Sequence, residues 1–141
     1  MPGIVATADI DIDAPAERVW QALTDPAQIE QYMFGSKVAT DWTVGSPITW
    51  SGEWEGKTYQ DKGEVLTYDE PRELSVTHFS PLTGQEDVPE NYHRVTYELT
   101  EDGGTTHLAI SQDNNASDDE ASHSKANWEQ ALSGIKKLIE G

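Results

Sequence analysis

Hydrophobic and polar residues alternate along the first segment of the chain. From Ile4 to Asp13 every second residue is apolar, and threonine or aspartate occupies the positions between, with Val5 as the exception. A period of two is typical of a half-buried strand, because successive side chains point to opposite faces of a sheet. The pattern predicts a first strand over residues 4–13 with a charged outer face.

Two short helices are predicted to follow this strand. Proline suits the first turn of a helix, so Ala14-Pro15 predicts the start of the first, and Asp25-Pro26 predicts its end. The apolar stripe of the first helix is Val19, Trp20 and Leu23. That of the second helix is Ile29, Tyr32 and Met33.

From residue 36 to residue 112 the pattern indicates strands and turns. Glycine and proline separate the alternating segments. The predicted strands are Lys37–Asp41, Ser46–Glu53, Lys57–Tyr68, Glu73–Phe79, His93–Thr100 and Thr105–Gln112. The interval from Ser80 to Asn91 contains two prolines and a glycine and is predicted to form a long mobile loop.

Odd- and even-numbered residues of a strand point to opposite faces of the sheet, and this parity sets the register of the last strands. A two-residue turn at Gly103-Gly104 places the apolar residues of the last two strands on one face, whereas a three-residue loop would set them against polar residues. That face carries Val95, Tyr97, Leu99, Thr106, Leu108 and Ile110. The same reasoning predicts three facing pairs one strand earlier: Leu74 with Tyr97, Val76 with Val95, and His78 with His93.

The last element is a long helix. Ser117 and Glu120 have the spacing of a capping box, and apolar residues follow at helical spacing: Trp128, Leu132, Ile135 and Ile139. The order of elements is one strand, two short helices, about six strands and one long helix, which predicts an α+β fold. No repeat or linker divides the sequence, so a single domain over residues 1–141 is predicted.

Composition and charge exclude several classes of function. The chain has 26 acidic and nine basic residues, a formal net charge of −17. Such a surface repels phosphate backbones and anionic lipids, so nucleic acid and membrane insertion are not expected. The absence of cysteine excludes disulfides and thiolate sites. No signal-peptide pattern or membrane-length apolar run occurs, so we expect a cytoplasmic protein that is a monomer or a weak homodimer.

Candidate chemistry is concentrated in aromatic and inward-facing polar residues. Tyrosine and tryptophan suit both ordinary core packing and a pocket for a mostly apolar ligand, and the sequence leaves both interpretations open. Polar side chains of inward parity would orient such a ligand. The candidate ligand-binding residues are Trp50, Trp54, Tyr59, Asp61, His78, His93, Tyr97, Gln112 and Trp128. The histidines lack zinc-site spacing, and no nucleophile motif occurs, so neither a metal nor a cofactor is predicted.

Several segments together resemble the SRPBCC (START-like, pollen-allergen-like) superfamily, and within it the group named after the C-terminal domain of the chaperone ATPase activator. They are IDIDAPAERVWQALTDP at Ile10–Pro26, DWTVGSPITWSGEWEGK at Asp41–Lys57, DKGEVLTYDEPREL at Asp61–Leu74, PENYHRVTYEL at Pro89–Leu99, SQDNN at Ser111–Asn115 and ASHSKANW at Ala121–Trp128. The resemblance implies a helix-grip fold, in which a curved antiparallel sheet of about six to seven strands wraps the long C-terminal helix and leaves a cavity between them. In the two-domain activator a separate N-terminal domain also contacts the chaperone, and we expect it to be absent here.

Three functions are consistent with these observations. The first is a non-catalytic binding protein that holds a small apolar or amphipathic molecule in the cavity. The second is a cyclase-like or isomerase-like enzyme in which Asp61, His78 and His93 transfer protons. The third is a stress-related co-chaperone with a protein partner. A solvent-connected cavity with converging histidine and aspartate favours the enzyme, whereas a filled core beside an exposed aromatic patch favours the interaction protein.

Overall fold

An antiparallel sheet and a long C-terminal helix make up most of the fold. The computed structural model describes residues 4–33, 35–54, 56–80 and 85–141, without the side chain of Trp54. In these residues the strands are β1 (Ile4–Ile12), β2 (Lys37–Thr40), β3 (Pro47–Trp54), β4 (Lys57–Asp69), β5 (Glu73–His78), β6 (His93–Asp102) and β7 (Thr105–Asn115). The helices are α1 (Ala16–Thr24), α2 (Pro26–Tyr32) and α3 (Asp118–Glu140).

The strand order confirms the predicted α+β class. The described strands form one curved sheet in the order β1-β7-β6-β5-β4-β3-β2, and every neighbouring pair is antiparallel. Within the loop predicted between β5 and β6, residues 89–91 form a short 3-10 helix, and residues 81–84 lie outside the described part.

The register agrees with the parity argument. Asp102 pairs with Thr105, so the turn has two residues, and both of its glycines adopt positive φ (62° and 86°). That backbone is the type I′ hairpin geometry, which glycine reaches without steric cost. In the preceding pair of strands the facing residues are Leu74 and Tyr97, Val76 and Val95, and His78 and His93, as predicted.

Strand β4 approaches β5 closely at Gly63. A Cβ atom built on Gly63 would lie 1.7 Å from the backbone oxygen of Thr77, so only glycine fits there. Two residues further along, the register between β4 and β5 shifts between Val65 and Thr67. A bulge of this kind bends a strand and increases its twist, which contributes to the curvature of the sheet.

One end of the fold, which we call the packed end, holds α1 and residues 131–139 of α3 against the sheet, with α2 packed against α1, α3 and β2. Its fully or nearly fully buried side chains include Ile12, Val19, Trp20, Leu23, Leu108, Ile110, Leu132 and Ile135. Tyr32 is also buried here and donates a hydrogen bond to the backbone oxygen of Ala22 at 2.8 Å. Burial of the Tyr32 ring raises the pKa of its phenol.

Helix α3 begins at the predicted cap. The side chain of Ser117 accepts a hydrogen bond from the backbone N–H of Glu120 at 3.1 Å, and the Glu120 carboxylate accepts one from the N–H of Ala116 at 3.1 Å. The return bond therefore goes to the residue before the cap rather than to the cap itself. Among the described residues no helix is long and apolar enough to cross a membrane.

Candidate functional site

A cavity of about 280 Å³ lies between the sheet and the first half of α3. Its aromatic walls are Trp50, Tyr97 and Trp128, and its aliphatic walls are Met33, Val76, Val95 and Ala131. Polar groups from β4, β5, β6 and β7 face them: Asp61, His78, His93 and Gln112. We call this region, with residues 118–130 of α3, the cavity end. Its mixture of apolar walls and a few polar groups is typical of small-molecule sites.

Most of the candidate binding residues line this cavity. Tyr59 is not among the lining residues, and the prediction for Trp54 falls on a side chain outside the described part of the chain. Tyr59 has the predicted inward parity, but its hydroxyl forms a hydrogen bond of 2.5 Å with that of Ser36. Its ring also lies over Gly52, where an added Cβ would be 2.6 Å from the Tyr59 oxygen. Tyr59 therefore contacts Ser36, which lines the cavity. The prediction for Tyr59 is corrected on this point, because Tyr59 is not itself a lining residue.

Asp61 and His78 form the most polar part of the wall. Their side chains meet at 2.9 Å, from His78 Nε2 to Asp61 Oδ2, and they are 16% and 29% exposed respectively. Strand pairing places Trp50 opposite Asp61, and the Trp50 ring lies edge-on to His78 with centroids 5.0 Å apart. The other carboxylate oxygen, Asp61 Oδ1, is buried and accepts no hydrogen bond from the described residues.

His93 continues the polar wall on the next strand. Its Nδ1 lies 2.8 Å from the backbone oxygen of Asp113, and because a carbonyl only accepts, Nδ1 carries the hydrogen. The remaining ring nitrogen, Nε2, lies 3.8 Å from Oε1 of Glu120. The rings of His93 and His78 are stacked with centroids 6.5 Å apart. Asp61, His78 and His93 therefore lie together in the lining of the cavity, an arrangement that the sequence alone did not show.

Gln112 connects the sheet to α3 across the cavity. Its side-chain oxygen accepts a hydrogen bond of 2.8 Å from the Trp128 indole N–H, and its amide nitrogen lies 3.3 Å from Ser124 Oγ. Ser124 in turn donates to the buried Asn115 at 3.0 Å. These bonds fix the Trp128 ring edge-on to Tyr97 with centroids 6.0 Å apart. Burial raises the pKa of Tyr97 well above the usual range of tyrosine.

Six polar lining residues were missed by the sequence argument: Ser36, Ser80, Gln85, Asn91, Ser124 and Asn127. Ser124 and Asn127 precede Trp128 and Ala131 at helical spacing, so one stripe of α3 carries four lining residues. The sequence therefore contained a signal for Ser124 and Asn127 in this spacing, but the apolar stripe of α3 is the stronger periodic pattern. Ser36 has no comparable signal, because it lies in the connection between α2 and β2.

An ion pair involves the residue after Asp61, on the opposite face of the sheet, because successive strand residues point to opposite faces. Lys62 on β4 contacts the Asp87 carboxylate, which also accepts a hydrogen bond from the Tyr92 hydroxyl at 2.5 Å. The bonds from Lys62 and Tyr92 lower the pKa of Asp87, and those bonds raise the pKa of Lys62 and of Tyr92. The Tyr92 ring is stacked on Phe79 at 5.1 Å. No cluster of three or more histidine and carboxylate side chains suited to a metal ion occurs in the described residues.

Comparison with known proteins supports the family resemblance. The family described as "Activator of Hsp90 ATPase homolog 1-like protein" matches residues 13–140. The solution structure of ChR145 from Cytophaga hutchinsonii is 46% identical, with a TM-score of 0.87 over 99% of this chain and 96% of that one. The crystal structure of MLL2253 from Mesorhizobium loti is 25% identical, with a TM-score of 0.79 over 97% of each chain.

A more distant likeness extends the same fold. The crystal structure of CalU16 from Micromonospora echinospora is 24% identical, with a TM-score of 0.73 over 96% of this chain and 75% of that one. No curated protein matches the chain. The family match spans nearly the whole sequence, and the fold is that of the similar solved structures. The chain therefore belongs to the family of Activator of Hsp90 ATPase homolog 1-like proteins.

Proposed function

We propose that this protein binds a small, mostly apolar molecule in the cavity between its sheet and α3. The observation that carries the proposal is the cavity itself, whose three aromatic walls face a short row of polar groups. Its volume of about 280 Å³ is close to the lower end of the range for ligand pockets, about 300–1,000 Å³. A compact ligand with one apolar ring or short chain and one polar end fits this geometry.

The rigidity of the walls supports binding rather than loose packing. Gln112, Ser124 and Trp128 are joined by hydrogen bonds, so the aromatic wall on α3 is oriented before any ligand arrives. Preorganised walls reduce the conformational entropy that the protein itself loses when a ligand binds. The polar groups opposite supply hydrogen-bonding partners that would select the orientation of the ligand.

Native mass spectrometry of the protein purified from its own host tests this proposal. We expect a reproducible small-molecule adduct that raises the melting temperature when added back to the empty protein. Asn127→Trp places a ring at a lining position of α3 and should abolish the adduct. The neighbouring Ala126→Trp is the matched control, since Ala126 is exposed and does not line the cavity. Equal adducts in both variants, or no adduct in the wild type, would contradict the proposal.

A second candidate is an enzyme that transfers a proton within the same cavity. The bond between His78 and Asp61 favours it, because a neutral His78 that donates Nε2–H to the carboxylate keeps Nδ1 as a basic nitrogen. The test is deuterium uptake by the extracted ligand when it is incubated with the protein in deuterated water. Uptake that disappears in His78→Gln supports catalysis, whereas no uptake and no conversion of the ligand supports binding alone.

A role as an activator of a chaperone ATPase, which the family description names, is the third candidate. It would need an exposed surface that a protein partner covers. In the described residues the large exposed hydrophobic side chains are Ile4, Val5 and Val44, all aliphatic, and they do not form an aromatic patch. The cavity therefore favours small-molecule binding over this alternative.

A further inference from the structure

We propose that the cavity selects ligands that carry a protonated amine, with the ammonium group paired to the Asp61 carboxylate. This inference rests on the proposed binding function and names its ligand class: a small aromatic or aliphatic amine. The argument comes from the charges that line the cavity, from the incomplete hydrogen bonding of Asp61 and from the aromatic rings beside it.

The lining offers no permanent cation to an anionic ligand. None of the described lining residues is lysine or arginine, and none of the residues outside the described part is either. The charged or titratable groups at the cavity are Asp61, His78, His93, the phenol of Tyr97 and, next to His93, Glu120. Even with both histidines protonated, the two carboxylates balance them. A carboxylate or phosphate ligand would therefore lose its hydration without gaining an unmatched positive charge.

Asp61 lacks hydrogen-bond donors. An ionised carboxylate has about four acceptor sites, and the described residues supply one bond, from His78 to Oδ2. Oδ1 is buried and accepts no hydrogen bond from the same residues. Because Oδ1 has almost no accessible surface, a ligand in the cavity meets this carboxylate through Oδ2, which accepts one bond from His78 and has a second acceptor site for an N–H donor of the ligand. An ammonium group supplies up to three donors and the compensating charge together.

Aromatic rings complete the environment for a cation. Trp50 is the strand partner of Asp61, so its indole lies on the same face of the sheet, and Tyr97 and Trp128 form the opposite wall. An indole ring attracts a cation that lies over its face, most strongly where water is excluded. The net charge of −17 also raises the local concentration of cationic ligands around the protein.

Three probes with the same ring and different end groups test the inference: 2-phenylethylamine, 2-phenylethanol and 3-phenylpropionate. Their affinities for the full chain are measured by titration calorimetry at pH 7.5 and low salt. We expect the amine to bind at least tenfold more tightly than the alcohol, and the carboxylate to bind most weakly. A carboxylate that binds as tightly as the amine would overturn the inference.

Two variants with the same change in net charge isolate the role of Asp61. Asp61→Asn should bring the amine to within about twofold of the alcohol, because it removes the paired charge and keeps the side-chain shape. Asp41→Asn, at an exposed position outside the cavity, should keep the preference of the wild type. Retained alcohol binding by Asp61→Asn shows that its cavity is intact, and His78→Gln, which leaves the Asp61 charge in place, should still prefer the amine.

The outcomes separate this inference from the binding function. Equal affinities for amine and alcohol that Asn127→Trp abolishes would overturn the amine preference and leave small-molecule binding supported. A preference for the amine that survives in Asp61→Asn would assign it to the net charge of the protein and overturn the assigned pairing. Failure of all three probes to bind the wild type would count against binding and amine selection together.

Discussion

The two halves of α3 face different environments. Residues 131–139 contribute Ala131, Leu132 and Ile135 to the core of the packed end, and all three side chains are almost completely buried. In residues 118–130 the most buried positions are half-exposed, and this half is attached to the sheet by polar contacts such as those of Ser124 and Trp128. One helix therefore joins a region built for stability to a region built around a cavity.

The difference has an energetic consequence. Burying a leucine side chain contributes about 1.5–3 kcal/mol, whereas a typical hydrogen bond contributes about 0.5–1.5 kcal/mol net. Most of the stability that α3 provides should therefore come from the packed end. The cavity end can then carry polar groups and empty volume that would be too costly in a core.

Leu132→Ala should produce the largest loss of stability. Leu132 is 1% exposed at the packed end, and truncation of a buried leucine removes apolar contacts and leaves a cavity. We expect the free energy of unfolding to fall by about 2–5 kcal/mol in urea denaturation. The exposed Gln130→Ala on the same helix is the control and should stay within about 0.5 kcal/mol of the wild type. Similar losses in the two variants would contradict the proposed division of α3.

Gly134→Ala tests the fit between α3 and α2. An added Cβ would lie 2.9 Å from the Cβ of Tyr32, which is close to the backbone and not free to move aside. Overpacking of this kind costs about 1–3 kcal/mol. The better helix propensity of alanine returns up to about 1 kcal/mol of it. We expect a net loss of about 1 kcal/mol in the same assay.

The neighbouring Ser133→Ala is the matched control for this substitution. Ser133 is exposed on the same turn of α3, so the change adds helix propensity without a clash. It should leave stability unchanged or slightly higher. A stabilised Gly134→Ala would show that the two helices can separate at little cost, and the packed end would then be less rigid than its burial indicates.

Sequence periodicity predicted the packed end more completely than the cavity end. Burial determines the apolar stripe of α3 and the alternation in β1, so both appear in the sequence as regular hydrophobic periods. The pairing of His78 with His93 was also predictable, because parity fixes which strand residues face each other. For the same reason the inward faces of Asp61 and Gln112 were predictable.

The lining of the cavity could be predicted only in part. Parity fixes the face of a side chain but not where its end lies, and the Tyr59 hydroxyl bonds to Ser36 instead of lining the cavity. Ser36 gave no signal of its own, because polar residues in a loop are usually solvent-exposed. A cavity is a volume left between elements, so it depends on their three-dimensional arrangement rather than on local pattern.

Tyr97→Phe probes the cavity end through pH. Burial raises the pKa of Tyr97, so the folded state keeps a proton that the unfolded state releases above about pH 10. The folded state then binds more protons, and stability falls as the pH rises through this window. The limiting slope for one group is about 1.4 kcal/mol per pH unit.

The variant should reduce that alkaline slope because it removes one titrating phenol. At pH 7, where the phenol is neutral in both states, stability should change little. Urea denaturation at pH 7, 10 and 11 measures both effects.

Tyr32→Phe is the comparison at the packed end. Burial also raises the pKa of Tyr32, but its hydroxyl donates to Ala22, so this variant should also lose stability at pH 7. An unchanged alkaline slope in Tyr97→Phe would mean that its phenol ionises in the folded state.

The smallest expected effect on stability is that of Lys62→Met, on the face of β4 opposite to Asp61. Lys62 and Asp87 are both about half exposed, and such ion pairs are screened by solvent and salt. The pair nevertheless lowers the pKa of Asp87, so its stabilisation exists above the ordinary pKa of aspartate and is lost as the pH falls through the lowered value. In Lys62→Met the Asp87 pKa followed by NMR should rise toward the ordinary value. The melting temperature at pH 7 should stay nearly constant, and a large fall would show that this contact also stabilises the cavity end.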